Sequence, residues 1–337
     1  MKAAVVTGFD KPLVIRDLLV PRPGPGQVLV RMEASGLCRT DIHAACGDWP
    51  LKPNPPFIPG HEGVGVIEEA AADVSTARIG KRVAIPWLAR TCGHCRSCLT
   101  GWETLCERQE NNGYSVDGAY AEYAAVHEAG IVEVPEALPA FEAAPLSCAG
   151  SAAYKAIKVA GVTPAERVAV FGAGGLGHMA LQYARIAGAL VTAVDIEWNK
   201  LHLAAKLGAD HVVNARADDP VEALREAGGA DVAVVLTAAP TAFEQAYRSL
   251  RRGGRLVCVG LPPGGAALGV PFFETVVGGR SVIGSVAGTR QELTEVFALA
   301  AAGRTEMIAE PRALDDVNAC FDDVLGGRVP ARLVFEF

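Results

Sequence analysis

The stretch Val168-Ala169-Val170-Phe171-Gly172-Ala173-Gly174-Gly175-Leu176-Gly177 decides the fold of this chain. Its four leading apolar residues read as a buried strand, and a G-x-G-x-x-G turn follows directly. Gly172 permits the tight turn, Gly174 lets a pyrophosphate approach the backbone, and Gly177 lets the next helix pack closely on the strand. The helix start, with Gly175 and Leu176 in the same turn, offers free N–H groups and a positive dipole end to phosphate. A glycine turn without a ligand is the competing reading, and the motif alone does not decide between them. Its setting decides. A strand precedes it, a helix follows, and Asp195 ends the next strand 18 residues after Gly177, where a carboxylate can accept both hydroxyls of a ribose.

Asp195 also selects the dinucleotide. A 2'-phosphate would meet its negative charge, and no arginine follows within the next several residues to offset the clash, so NAD is expected over NADP. Lys200 is placed to reach the ribose or a phosphate, its plain alternative being a solvated lysine at a helix start.

Working outward, the chain after about residue 150 alternates apolar strands with helical stretches, the pattern of a parallel sheet covered on both faces. Strands are expected at 167–172, 190–195, 211–214, 231–236, 255–260 and 281–285, and helices at 175–187, 199–207, 220–227, 242–250 and 292–302. Six strands fit the two mononucleotide-binding halves of a doubly wound, Rossmann-type domain. The first 150 residues are different: short strands broken by Pro and Gly, as in Val28-Leu29-Val30, Gly65-Val66-Ile67 and Arg82-Val83-Ala84-Ile85. The alternating end Arg332-Leu333-Val334-Phe335 suits that β-rich region. The expected domains are therefore 1–148 with 287–337, and 149–286.

Bulk properties narrow the partners. A chain of 337 residues, half hydrophobic and one fifth charged, has the composition of a soluble globular protein. Its net charge of −7 repels phosphate backbones and anionic lipid, which leaves a small molecule as the expected ligand. Asp10, Lys11, Arg16 and Asp17 interrupt any N-terminal signal core, and no run is long and apolar enough for a membrane helix. Nine cysteines, an odd count with metal-type spacing, point to a reducing cytoplasm.

Four of them, Cys92, Cys95, Cys98 and Cys106, form a C-x2-C-x2-C-x7-C run whose thiolates can converge on one tetrahedral ion. A redox C-x-x-C pair and an iron site compete with zinc, and thiolate sets with these spacers favour zinc. Such a closed site holds a loop together and catalyses nothing. Further ligand-type residues lie in Gly36-Leu37-Cys38-Arg39-Thr40-Asp41-Ile42-His43, in Gly60-His61-Glu62-Gly63-Val64-Gly65 and around Cys148. Two thiolates and an imidazole would leave a fourth position on zinc for substrate. Spacing cannot tie three distant segments together, and Cys148 alone reads as readily as a core thiol.

These residues, taken together, resemble a zinc-dependent alcohol dehydrogenase of the medium-chain dehydrogenase/reductase superfamily, bacterial type, and the resemblance runs along essentially the whole chain. It rests on G-H-E-x-x-G at Gly60 to Gly65, Cys38 with Thr40-Asp41-x-His43, the cysteine loop, the glycine fingerprint and Arg332. It implies a mostly β, GroES-like catalytic domain joined to the Rossmann domain, two zincs per subunit, NAD, and a homotetramer. By the same resemblance Cys38, His61 and Cys148 ligate the catalytic zinc and Cys92, Cys95, Cys98 and Cys106 the structural one. Glu62 lies beside the catalytic metal, Asp41 supports His61, and Arg332 contacts the cofactor pyrophosphate. Hydride would pass reversibly from an alcohol, with a primary one expected, to NAD, giving an aldehyde or ketone. The proton would leave through Thr40, the cofactor ribose and His43, whose side-chain type titrates near neutrality.

Trp49 and Trp87 are candidate walls of the substrate pocket, where large rings favour slender substrates; ordinary core tryptophans are the alternative. Cys46, Cys258 and Cys320 read as core or spectator thiols. A polyol or secondary-alcohol dehydrogenase on the same fold and a non-catalytic dinucleotide-binding relative stand as the other functional readings.

Overall fold

Gln27–Leu37 is the strand around which the first unit of the computed structural model is built; residues 1–262 and 265–337 are described. Val28, Val30 and Met32 alternate into a core shared with Ile67, Val83, Ile85 and Val126, while Arg31 stays exposed, the two-residue period of a half-buried strand. Along one side the strand pairs antiparallel with Gly63–Ala70. On the other side its two halves take different partners: Tyr123–His127 pairs with Gln27 to Arg31, and Arg332–Glu336 with Ala34 to Leu37. Arg82–Ile85, Val132–Glu133 and Ala309–Arg312 complete a seven-stranded sheet. The register sets Ser35 opposite Gly63, so the residues leaving one strand and those entering the other meet at one end of the sheet.

The second unit carries a six-stranded parallel sheet in the order His211–Asn214, Leu190–Asp195, Arg167–Phe171, Ala230–Val235, Leu250–Cys258, Ser281–Gly284. The order reverses beside Arg167–Phe171, which makes the carboxyl end of that strand the crevice of a doubly wound sheet. Ala169, Phe171, Val194 and Val235 pack against Phe243 and Tyr247 of the helix Pro240–Ser249. Several features differ from the sequence reading, among them the unanticipated helix Ser151–Ala160. The fifth strand begins at Leu250, because the polar, glycine-containing run Arg251 to Gly254 is drawn into the sheet with a shift of register. Phe272–Gly278 forms a helix that the sequence analysis does not anticipate, since its Phe272, Phe273 and Val276 are exposed and show no buried stripe.

The two units comprise Met1–Ser151, Ala287–Gly303 and Met307–Phe337, and Ala152–Val286 with Arg304–Glu306. Among the described residues no helix is long and apolar enough to cross a membrane.

Candidate metal centres and nucleotide site

Cys38, His61, Glu62 and Cys148 converge from three segments, with one ligand atom from each lying within 4.8 Å of the others. Cys38 follows the strand Gln27–Leu37, His61 and Glu62 precede Gly63–Ala70, and Cys148 lies in a π-helical turn at Leu146–Gly150. The two sulfurs are 4.0 Å apart, and His61 Nε2 is 3.2 Å from the Cys148 sulfur. Tetrahedral zinc with bonds of about 2.3 Å places two thiolates about 3.8 Å apart, so these donors fit the ion.

The surroundings hold the ligands in place. Cys38 caps the helix Arg39–Cys46, and its amide donates to Asp41 Oδ2 at 2.9 Å. Oδ1 of the same carboxylate lies 2.7 Å from His61 Nδ1, and the Tyr120 hydroxyl donates to Oδ2 at 2.8 Å. With a proton on Nδ1, the lone pair of Nε2 faces the sulfurs, the tautomer that metal ligation needs. Burial opposes charge on His61, yet Asp41 holds its pKa well above the ordinary imidazole value, so a metal binding here displaces a proton from Nε2. The hydrogen bond from Cys148, reinforced by Arg332, keeps the Cys38 thiol well below its usual range although burial opposes this. Such a sulfur is thiolate-like and ready for a cation.

Glu62 is fully buried, and burial lifts its carboxyl to about 8 against the pull of Arg332. Arg332 Nη2 stands 2.9 Å from Oε1, but off the hydrogen-bonding direction, and neither carboxylate oxygen has a hydrogen-bond donor. A buried carboxyl without a hydrogen-bond donor is costly, and the Arg332 guanidinium is the cation that offsets it. Gly36 makes room for the carboxyl: a Cβ there would lie 2.1 Å from Glu62 Oε2.

Arg332, expected by the resemblance at the cofactor pyrophosphate, stands beside this cluster. The pairing of Leu333 with Leu37 turns its guanidinium inward, 6% exposed, onto Glu62 and the Leu37 carbonyl at 3.2 Å.

Thr40 and His43 lie three residues apart on the helix Arg39–Cys46 and therefore share a face. His43 Nδ1 bonds to Asp48 Oδ2 at 2.6 Å, and its ring stacks on Trp49 at 5.5 Å. Trp87 meets His61 edge-on at 5.2 Å. Tyr114, which no sequence pattern marked, lies between the two tryptophans.

In the cysteine loop the sulfurs of Cys92, Cys95, Cys98 and Cys106 also lie within 4.8 Å of one another. The amide of Cys95 donates to the Cys92 sulfur at 3.4 Å and that of Cys92 to the Cys106 sulfur at 3.5 Å, as suits negatively charged thiolates. Four sulfurs fill a tetrahedral zinc and leave no open position.

Two family descriptions match this architecture: "Alcohol dehydrogenase GroES-like domain" over residues 24–136 and "Zinc-binding dehydrogenase" over residues 175–302. An alcohol dehydrogenase of Geobacillus stearothermophilus is 51% identical over 337 residues, 100% of this chain and 99% of that one. The chain belongs to the zinc-binding alcohol dehydrogenases. Among solved structures, the alcohol dehydrogenase of the hyperthermophilic archaeon Aeropyrum pernix is 35% identical with a TM-score of 0.92, covering 100% of both chains. The acetophenone reductase of Geotrichum candidum, solved in complex with NAD, is 28% identical with a TM-score of 0.90, covering 100% of this chain and 97% of that one.

In this dehydrogenase the glycine fingerprint joins the strand Arg167–Phe171 to the helix Gly177–Ile186. A Cβ at Gly177 would lie 1.9 Å from the Gly172 carbonyl, so close strand–helix packing demands glycine there. A Cβ at Gly174 would meet only the end of the Lys200 side chain, at 4.0 Å, which leaves the open approach a pyrophosphate needs and sets an ammonium beside it. The helix starts at Gly177, so Gly175 and Leu176 belong to the turn. The Asp195 carboxylate is held by backbone amides: Oδ2 accepts that of Ala173 at 2.8 Å, and Oδ1 those of Ile196 and Glu197 at 2.7 Å and 3.0 Å. Beyond it opens a cavity of about 400 Å³ lined by Ile196, Trp198, Asn214 and Arg216 among others. The sequence reading missed Arg216 because it comes from the next strand's end; its charge is paired with Glu197 at 3.0 Å.

Proposed function

We propose that this alcohol dehydrogenase oxidises small primary alcohols reversibly with NAD, and that the open cluster of Cys38, His61 and Cys148 is its reaction centre. The observation that carries the reading is that cluster's composition: two sulfurs and an imidazole in tetrahedral spacing, with a buried carboxyl that lacks a hydrogen-bond donor behind them. Cys38, His61 and Cys148 would hold the catalytic zinc, with Glu62 beside it, and Cys92, Cys95, Cys98 and Cys106 a structural one. When bound, zinc supplies the Lewis acid that brings an alcohol hydroxyl toward neutral acidity, and NAD supplies the hydride acceptor.

The chain's own residues do the rest. Asp41 fixes His61, Arg332 offsets the charge of Glu62, and Trp87 with Trp49 narrows the approach to unbranched substrates. Gly172, Gly174, Gly175, Leu176 and Gly177 receive the pyrophosphate with Lys200 beside them, and Asp195 takes the ribose. Thr40 and then His43 carry the proton outward, the latter handing it to water beside Asp48.

An alcohol panel assayed by NADH absorbance tests the reading. Ethanol and 1-propanol are expected to outrun 2-propanol, benzyl alcohol and sorbitol; a preference for sorbitol or 2-propanol would favour the polyol or secondary-alcohol alternative. Asp195→Gly should narrow the NAD over NADP preference by at least about tenfold, since it removes roughly the worth of one charge contact of about 1.4 kcal/mol. An unchanged ratio of kcat/KM for the two cofactors would refute the assignment. His43→Ala should lower kcat by about 10²-fold and alter its pH profile; a variant with wild-type rate and profile would send the proton by another route.

A homotetramer is proposed as well. Exposed Phe272, Phe273, Val276 and Val277 beside the edge strand Ser281–Gly284 support association of like copies, because an apolar patch next to a free strand edge favours pairing. The metal-type spacing of the cysteines supports a cytoplasmic setting.

A further inference from the structure

Tyr114 occupies the middle of an aromatic wall that runs from a zinc-type ligand to the outer relay histidine. Its ring centroid lies 5.7 Å from Trp49 and 5.5 Å from Trp87. Trp87 touches His61 and Trp49 touches His43, so removing the central ring would break the wall in two. The Tyr114 hydroxyl donates to the Leu51 carbonyl. That bond matters because the loop it holds has few backbone ties of its own, the Trp49 ring on His43 and the Lys52 ammonium over Phe9 being among its other contacts. The Asp48 amide bonds to the His43 carbonyl and the Phe57 amide to that of Val6; between them, among the described residues, 49–56 make no backbone-to-backbone hydrogen bond. The Leu51 side chain is 83% exposed and adds little packing of its own.

The other side of the argument is space. A half-open cavity of about 480 Å³ is lined by Leu51, Phe57, Val116 and Tyr114 together with the polar Lys52, Asn111 and Asp117 among others, and neither tryptophan lines it. Tyr114 is therefore the residue shared by wall and cavity. We propose that Tyr114 sets the length limit of the substrate pocket: its ring closes the pocket off from this cavity, and its hydroxyl pins the loop that carries Trp49. It is a specificity and positioning residue, remote from the reacting atoms, and the inference rests on the reading of the Trp87 side as the alcohol site. A ring standing between a pocket and a neighbouring cavity excludes tails by volume, and each methylene admitted or refused shifts selectivity by about tenfold or more.

Tyr114→Ala, Tyr114→Leu and Tyr114→Phe, each checked for zinc content and circular dichroism, test it. In the alanine variant the kcat/KM ratio of 1-octanol to ethanol should rise by at least about tenfold, and in the leucine variant, which keeps more of the packing, by less. The phenylalanine variant keeps the ring and loses the tether, so KM should rise more than kcat falls, with the chain-length preference retained. Binding of acetamide and hexanamide, carbonyl compounds that resist hydride addition, read by tryptophan fluorescence, should follow the same order without turnover. Alcohol oxidation by the wild type with an unchanged chain-length ratio and unchanged amide binding in folded, zinc-loaded alanine and leucine variants would overturn the proposal. A wild type that oxidises no alcohol would instead remove the functional reading beneath it, and the amide titration would still report whether Tyr114 limits the pocket.

Discussion

Replacing Cys148 by serine should remove one zinc per chain and lower kcat/KM for ethanol by about 10⁴-fold, because the Lewis acid contributes several kcal/mol and each 1.4 kcal/mol is about tenfold. The sulfur lies within 4.0 Å of Cys38 Sγ and 3.2 Å of His61 Nε2, so it is the ligand that joins the other two. A hydroxyl in its place is a harder, weaker donor for this ion. Folding should survive, since serine is no larger than cysteine and the turn Leu146–Gly150 already carries the polar Ser147, whose hydroxyl bonds back to Ala144. Metal analysis with steady-state kinetics checks this. Retention of both zincs with full activity would remove Cys148 from the site, and loss of both would mean that the two centres are not independent.

Cys106→Ser should have the opposite signature, with one zinc lost, kcat largely kept at low temperature and the melting temperature lowered by about 10 °C. Structural zinc contributes binding energy directly to folding, and a chain of this size loses about 2–4 °C per kcal/mol. Cys106 is wholly buried and its sulfur accepts the Cys92 amide, so its replacement disturbs that bond as well as opening the site. The damage should spread. Glu103, between Cys98 and Cys106, meets Arg290 at 2.5 Å and accepts its amide at 2.9 Å, so the cysteine loop also anchors the start of the helix Arg290–Ala301. Calorimetry at matched zinc concentration reads the effect. An unchanged melting temperature would show that the lobe contributes nothing to the fold.

What was legible in the sequence follows from how local each device is. The parallel sheet could be read from Val168 to Gly177 because strand, turn and helix meet within ten residues, and the contact that requires Gly177 is with Gly172 of the same turn. The cysteine loop was legible for a similar reason. The open cluster was not, since Cys38, His61 and Cys148 are brought together by the pairing of Gln27–Leu37 with Gly63–Ala70 and by a π-helical turn, and only the family resemblance joined them beforehand. Alternation marked the last strand, yet it does not say what an inward arginine will meet. Arg332 meets Glu62. Tyr114 and Arg216 stayed hidden because nothing in their spacing separates them from solvated loop residues, and the helix Phe272–Gly278 because its apolar side chains are exposed.

The central claim is that two sulfurs and one imidazole hold a single accessible ion. Diffraction from zinc-loaded crystals on both sides of the zinc absorption edge tests it most directly. The account predicts two anomalous peaks per chain, one enclosed by Cys92, Cys95, Cys98 and Cys106, and one about 2.0–2.3 Å from His61 Nε2 and the sulfurs of Cys38 and Cys148. A fully loaded chain with no peak among Cys38, His61 and Cys148 would contradict it.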